Sequence, residues 1–141
     1  MTHSASPKSV GAVPEFKLWL SGPGARSVFG TGKWQLLDAI RRLGSLQAAA
    51  ASVGISYRKA WGDLRAAEKA LGIQLLERRR GGSSGGETCL TETGLVWLRE
   101  FQRMQAKVER AVEQAYDDWN GRVNRAERDA RRREKKKCGD F

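Results

Sequence analysis

Tyr57, Arg58 and Lys59 stand side by side, with Trp61 and Arg65 close behind. A phenol, a guanidinium and an ammonium group in one helical turn offer donors and positive charge at short spacing. That combination suits base edges and phosphates rather than bond-breaking chemistry. A second basic run, Arg78-Arg79-Arg80, precedes the Gly/Ser stretch Gly81 to Gly86. Catalytic combinations are missing from the pattern. The one histidine is His3, and no Ser/His, Cys/His or metal-ligand spacing occurs. Asp117-Asp118 reads as solvated charge on a helix. The expectation is a protein that is not an enzyme and carries no cofactor or metal.

The elements that would position these residues follow from capping and periodicity. Ser45 precedes the alanine-rich run Leu46 to Val53, a short helix with a serine N-cap, and Gly54 stops it. Ser56 caps a second helix that Gly72 ends, with Ala60, Leu64, Ala67 and Leu71 as its buried stripe. Two helices joined by a short glycine-containing turn are a helix-turn-helix. Tyr57, Arg58, Lys59, Trp61 and Arg65 then face outward. Ser56 is both a cap and a candidate phosphate donor. Tyr57 and Trp61 admit two readings: contact with sugar or a thymine methyl, or mutual packing one turn apart.

Before this pair, Glu15 to Leu20 alternates as a half-buried strand, and Gly22-Pro23-Gly24 turns into a return strand at Arg26 to Phe29. Thr31 is expected to cap a helix from Gly32 to Leu43, with Trp34, Leu37, Ile40 and Leu43 on its apolar face. Lys33 and Arg41 on it read as ordinary surface charges. After Gly72, Ile73 to Arg78 and Glu87 to Leu90 read as strands around the Gly/Ser tip, a wing with arginines along one side. An inter-domain linker is the competing reading of that tip. No GxxxxGK[ST] pattern supports a phosphate-cradling loop.

Thr91 caps a long helix. Trp97, Phe101, Met104, Val108, Ala111 and Ala115 recur at alternating four- and three-residue steps, a coiled-coil seam widened by Leu98, Val112, Tyr116 and Trp119. The first two turns are expected to pack on their own domain, and the rest to need a partner helix. Past Trp119 the seam positions become Arg122 and Arg125, so coiled packing should end there.

The 26 Lys+Arg against 16 Asp+Glu give a net +10, which points to a polyanionic partner. Residues 121–141 hold nine basic residues against four acids, and phosphate contact or plain solvation are both open for them. Cys89 and Cys138 lie far apart without CxxC spacing, which suits a reducing cytosol. Cys89 is expected as a small core residue. No apolar run is long enough to span a membrane, and the start lacks a hydrophobic signal core.

The order hairpin, helix, helix-turn-helix, glycine wing and long helix resembles the DNA-binding domain of the ModE family of molybdate-responsive transcriptional regulators. Gly54-Ile55-Ser56-Tyr57-Arg58-Lys59-Ala60-Trp61, Leu75-Leu76-Glu77-Arg78, Gly81-Gly82, Gly85-Gly86 and Leu90-Thr91…Gly94 carry the resemblance. More distantly, Ala48 to Thr91 is similar to the LysR-type winged helix. The resemblance implies a dimer on a palindromic operator, with Tyr57-Arg58-Lys59 in the major groove and Arg78 to Gly85 along the backbone. It also implies that the strand 15–20 adds to the dimer interface. ModE regulators usually carry β-rich molybdate-binding modules, and residues after Trp119 could not build strands. Molybdate or another oxyanion is therefore not expected to bind this chain.

The sequence thus reads as mainly α with small β hairpins, a winged helix-turn-helix with a long C-terminal dimerisation helix. The expected divisions are a disordered leader over 1–14, the DNA-binding domain over 15–90, the dimerisation helix over 91–120 and a basic tail over 121–141. A cytoplasmic, homodimeric regulator of double-stranded DNA is the leading functional reading. Ser56, Tyr57, Arg58, Lys59, Trp61, Arg65, Arg78, Arg79 and Arg80 would touch DNA. Trp97, Phe101, Met104, Val108, Ala111, Val112, Ala115 and Trp119 would form the dimer interface. The alternative is a nucleoid-like architectural protein, or an interaction module, without sequence specificity.

Overall fold

The computed structural model describes residues 11–24, 26–79 and 87–139. In chain order the elements are β1 (Trp19–Ser21), β2 (Ser27–Gly30), α1 (Thr31–Leu43), α2 (Leu46–Val53), α3 (Tyr57–Leu71), β3 (Leu76–Arg79), β4 (Glu87–Leu90) and α4 (Glu92–Gly139). The described residues cluster into two compact units. One is Lys17–Gln105, and the other comprises those before Lys17 and after Gln105.

Within Lys17–Gln105 the core is Phe29, Leu36, Leu37, Ile40, Leu64 and Leu75, all fully buried. Ala39, Ala49, Ala50, Ala60 and Ala67 are buried among them. Side chains this small let α1, α2 and α3 approach one another closely, which larger residues would prevent. Ser45 Oγ accepts from the amide of Ala48, and Ser56 Oγ from that of Lys59, both at 3.1 Å, so both expected serine caps form. Gly54 takes φ 78°, a left-handed conformation costly for any residue with a Cβ, and so turns α2 toward α3. The fold is the mainly α winged helix-turn-helix expected from the sequence.

β1 and β2 pair antiparallel, Leu20 opposite Phe29, with an irregularity between Leu20 and Ser21. β3 and β4 pair from Leu76↔Leu90 to Arg79↔Glu87, forming the wing. Its tip, Arg80 to Gly86, lies outside the described residues. The wing is tied to α1 by the amide of Thr88, which donates to the carbonyl of Gly44 at 3.2 Å.

Several expectations need correction. Thr31 does not cap α1: it is the first helical residue after Gly30, and its hydroxyl donates to Gln105 Oε1 at 3.2 Å. Leu43, the last residue of α1, is exposed rather than part of its packed face. The strand expected over Glu15 to Leu20 shrinks to Trp19–Ser21, where a partner strand exists to receive its hydrogen bonds. The strand expected from Ile73 begins only at Leu76, because the Glu68 carboxylate captures the amides of Leu75 and Leu76 at 2.8 and 3.3 Å. On β4 the buried residue is Thr88, while Cys89 is half-exposed.

α4 is capped as expected: Thr91 Oγ1 accepts from the amide of Gly94 at 2.9 Å. Gly94 is required by proximity, since a Cβ there would sit 2.3 Å from the carbonyl oxygen of Leu75. In the second unit the Tyr116 hydroxyl donates to the carbonyl of Ala12, so residues 11–14 of the expected leader include an anchored position. The rest of that leader lies outside the described residues. α4 stays helical through the basic segment to Gly139.

Candidate nucleic-acid interface

The first turn of α3 presents Tyr57, Arg58 and Lys59 to solvent, held by the Ser56 cap. Among the described residues Arg58 makes no hydrogen bond or ion pair, so all five guanidinium donors are available. Lys59 Nζ pairs with Asp63 at 3.0 Å, an exposed contact one turn along that water and salt weaken readily. Arg65 lies over the Trp61 ring at 5.0 Å and reaches Glu68 Oε1 at 4.0 Å. Trp61 therefore stacks under a cation, an arrangement neither reading of its role anticipated.

Arg78 on β3 donates to the Tyr57 hydroxyl at 2.8 Å. Tyr57 thus reaches the wing. Between α3 and the wing lies an open cleft of about 310 Å³, lined among others by Leu46, Trp61, Arg65, Gln74, Arg78 and Thr88. Arg79 belongs to β3 beside Arg78, and Arg80 lies outside the described residues. The structure brings Ser56, Tyr57, Arg58, Lys59, Trp61, Arg65 and Arg78 onto two adjoining elements. Arg41 and Arg42 on α1 share the single carboxylate of Asp38, at 3.0 and 3.2 Å.

Sequence reasoning missed three groups here. Asp63 and Glu68 stand four and three residues beyond Lys59 and Arg65, a spacing that signals ion pairing on a helix. The grip of Glu68 on the amides of Leu75 and Leu76 has no such signal. Gln74, whose carbonyl accepts from Thr91 Oγ1 at 2.6 Å, reveals its role only in the fold.

Two residues expected at a dimer interface also pack against the chain's own core. Phe101 is buried, edge-on to Phe29 at 5.1 Å, and Trp97 is edge-on to the same ring at 5.3 Å. Phe29 draws both inward, because the β1–β2 hairpin covers this part of α4. Around them a shallow hollow of about 230 Å³ remains open, lined by Leu20, Val96, Trp97, Glu100, Phe101 and Met104. Trp19, Leu95 and Val96 are also exposed. In the other unit Val108 and Val112 are half-buried, and Ala111, Ala115 and Trp119 are exposed.

Residues 32–95 match the bacterial regulatory helix-turn-helix family of lysR type. The chain is 36% identical over 89 residues to the molybdenum-pterin-binding protein MopB of Rhodobacter capsulatus, covering 63% of this chain and 32% of that protein. It is 35% identical over 82 residues to the transcriptional regulator ModE of Haemophilus influenzae, 58% of this chain and 31% of the relative. With the molybdenum transport protein ModE of Herbaspirillum seropedicae it shares 43% over 72 residues, 48% and 26% of the two chains. The chain thus spans about a third of these relatives' length. Among solved structures, the DNA-binding domains in the CbnR and BenM DNA complexes superpose with TM-score 0.51 at 24% identity. They cover 61% and 63% of this chain, and 93% and 94% of theirs, and so share the fold. The chain therefore carries a winged helix-turn-helix similar to the matched segments of these lysR-type and ModE-type proteins.

Proposed function

We propose that this protein binds duplex DNA in a sequence-specific manner as a homodimeric transcriptional regulator. The observation that carries the reading is Arg58, an exposed guanidinium, unpaired among the described residues, on the capped first turn of the second helix of a helix-turn-helix. A side chain so placed can make the bidentate pair with guanine O6 and N7 that commonly fixes sequence in the major groove. Lys59, Arg65, Arg78, Arg79 and Arg80 supply phosphate contacts, and Ser56 and Trp61 complete the surface. The relatives' names, which include a transcriptional regulator, support the same reading.

For the dimer, the support is the apolar surface described above: the hollow beside Met104 and the exposed Trp19 and Val96 in one unit, and Val108 to Trp119 along α4 in the other. Molybdenum binding, named for the Mop relatives, is not part of the proposal. Among the described residues no helix is long and apolar enough to cross a membrane, and the proposed location is the cytoplasm.

Selection of bound sites from random duplex DNA tests the reading. An inverted repeat is the expected product. Recovery of no shared sequence would replace it with the architectural alternative.

A further inference from the structure

The last part of α4 does not belong to the interface just proposed. From Arg122 to Lys137 it carries nine basic residues against the acids Glu127, Asp129 and Glu134, and every one of these charged residues is exposed. Among the described residues none of the nine cations is in an ion pair. Arg125 and Arg133 donate only to the backbone carbonyls of Gly121 and Asp129. Arg131 and Arg133 stand four residues after Glu127 and Asp129, yet the available i,i+4 pairs are not made. Among the described residues the charge is therefore not paired off.

It is also patterned. At about 100° per residue, Arg125, Arg128, Arg132, Lys135 and Lys136 fall within one arc of roughly 100°. Glu127 and Glu134 lie on the opposite side of the helix, and Asp129 falls just outside the arc. Like charges three and four residues apart weaken an isolated helix by roughly 0.2–0.5 kcal/mol per pair. Such a face gains most from an external polyanion.

We propose that the Arg125, Arg128, Arg132, Lys135 and Lys136 face of α4 is a second, sequence-independent contact for duplex phosphates. The spacing fits: the five span about 16 Å of helix, and one DNA strand carries a phosphate every 3.4 Å or so. An anionic membrane is the poorer match. An interfacial helix needs large apolar residues opposite its cations, and Gly121 to Gly139 offers only Val123, Ala126, Ala130 and Cys138. The proposal rests on the functional reading above only in taking duplex DNA as the polyanion.

Two variants of the 141-residue chain test it. One replaces the five face residues by Gln, and the other replaces Arg122, Arg131, Arg133 and Lys137 by Gln. Glutamine keeps the helix propensity of the residues it replaces, and circular dichroism verifies that α4 persists. Binding to a random-sequence duplex is measured against salt. The face variant should flatten the slope of log K against log salt by up to about 4.5, at roughly 0.9 for each of five phosphates, with at least about tenfold weaker binding. The off-face variant should change the slope by less than about 1. Equal losses in the two variants would reduce the effect to net charge and overturn the proposal. So would an unchanged slope in the face variant, or a loss confined to vesicles of anionic phospholipid. Failure of site selection to yield a shared sequence would instead strike the regulatory reading, and it leaves the salt slopes readable.

Discussion

Arg78 Nη2 donates to the hydroxyl of Tyr57 at 2.8 Å, joining the wing to the first turn of α3. The bond fixes where one phosphate-seeking guanidinium sits relative to the residues proposed to read bases. An exposed hydrogen bond contributes little to stability, about 1 kcal/mol or less. Tyr57→Phe should therefore leave the urea midpoint nearly unchanged while weakening binding a few-fold on every duplex alike. Fluorescence anisotropy on specific and random duplexes reads this directly. Undiminished binding would show that the placement of Arg78 is irrelevant.

Arg58→Ala should act in the opposite manner. Loss of one bidentate base contact costs roughly 1–3 kcal/mol on the selected site and much less on random DNA. Competition between the two duplexes measures the ratio. Equal losses on both would move Arg58 to the phosphate-contacting set.

Glu68→Ala should lower stability by about 2–3 kcal/mol, because the amides of Leu75 and Leu76 lose a charged acceptor beside a fully buried leucine. Glu68→Gln keeps one acceptor oxygen and should lose about half as much. Denaturant titration of the two variants checks the order. Wild-type stability in both would mean that water replaces the carboxylate.

Gly94→Ala drives a methyl group to 2.3 Å from the Leu75 carbonyl oxygen, where the two nearest atoms are backbone. Overpacking of this kind costs about 1–3 kcal/mol or more. A drop in melting temperature is expected, and none would indicate that α4 slides freely at its start.

Val108→Glu places a carboxylate in the seam proposed for the partner helix, where burial without a counter-charge is costly. Sedimentation at micromolar concentration should show a dimer for the wild type and a folded monomer for the variant. A monomeric wild type would remove the palindromic mechanism.

The helix-turn-helix was legible because its signals are local: Ser45 and Ser56 as caps, Gly54 and Gly72 as stops, and Ala60, Leu64 and Ala67 at helical spacing. The exposed set Tyr57 to Lys59 followed from the same periodicity. What escaped depends on partners distant in sequence. Thr31 looks like a cap until Gln105 takes its hydroxyl. Trp97 and Phe101 fit a heptad seam, but Phe29 lies more than sixty residues earlier, and nothing in the spacing of α4 announces it. The late start of β3 is likewise decided by Glu68, on another element.

The start of α4 has a mechanical consequence. The Thr91 amide donates to the Leu75 carbonyl at 2.9 Å, its hydroxyl donates to that of Gln74, and Gly94 rests against the same peptide. That peptide's neighbouring amides are in turn held by Glu68 of α3. The first turn of α4 is thus fastened, through the Leu75 peptide and Glu68, to the element that bears Arg58. Within Lys17–Gln105 these bonds make that first turn and α3 a single braced corner.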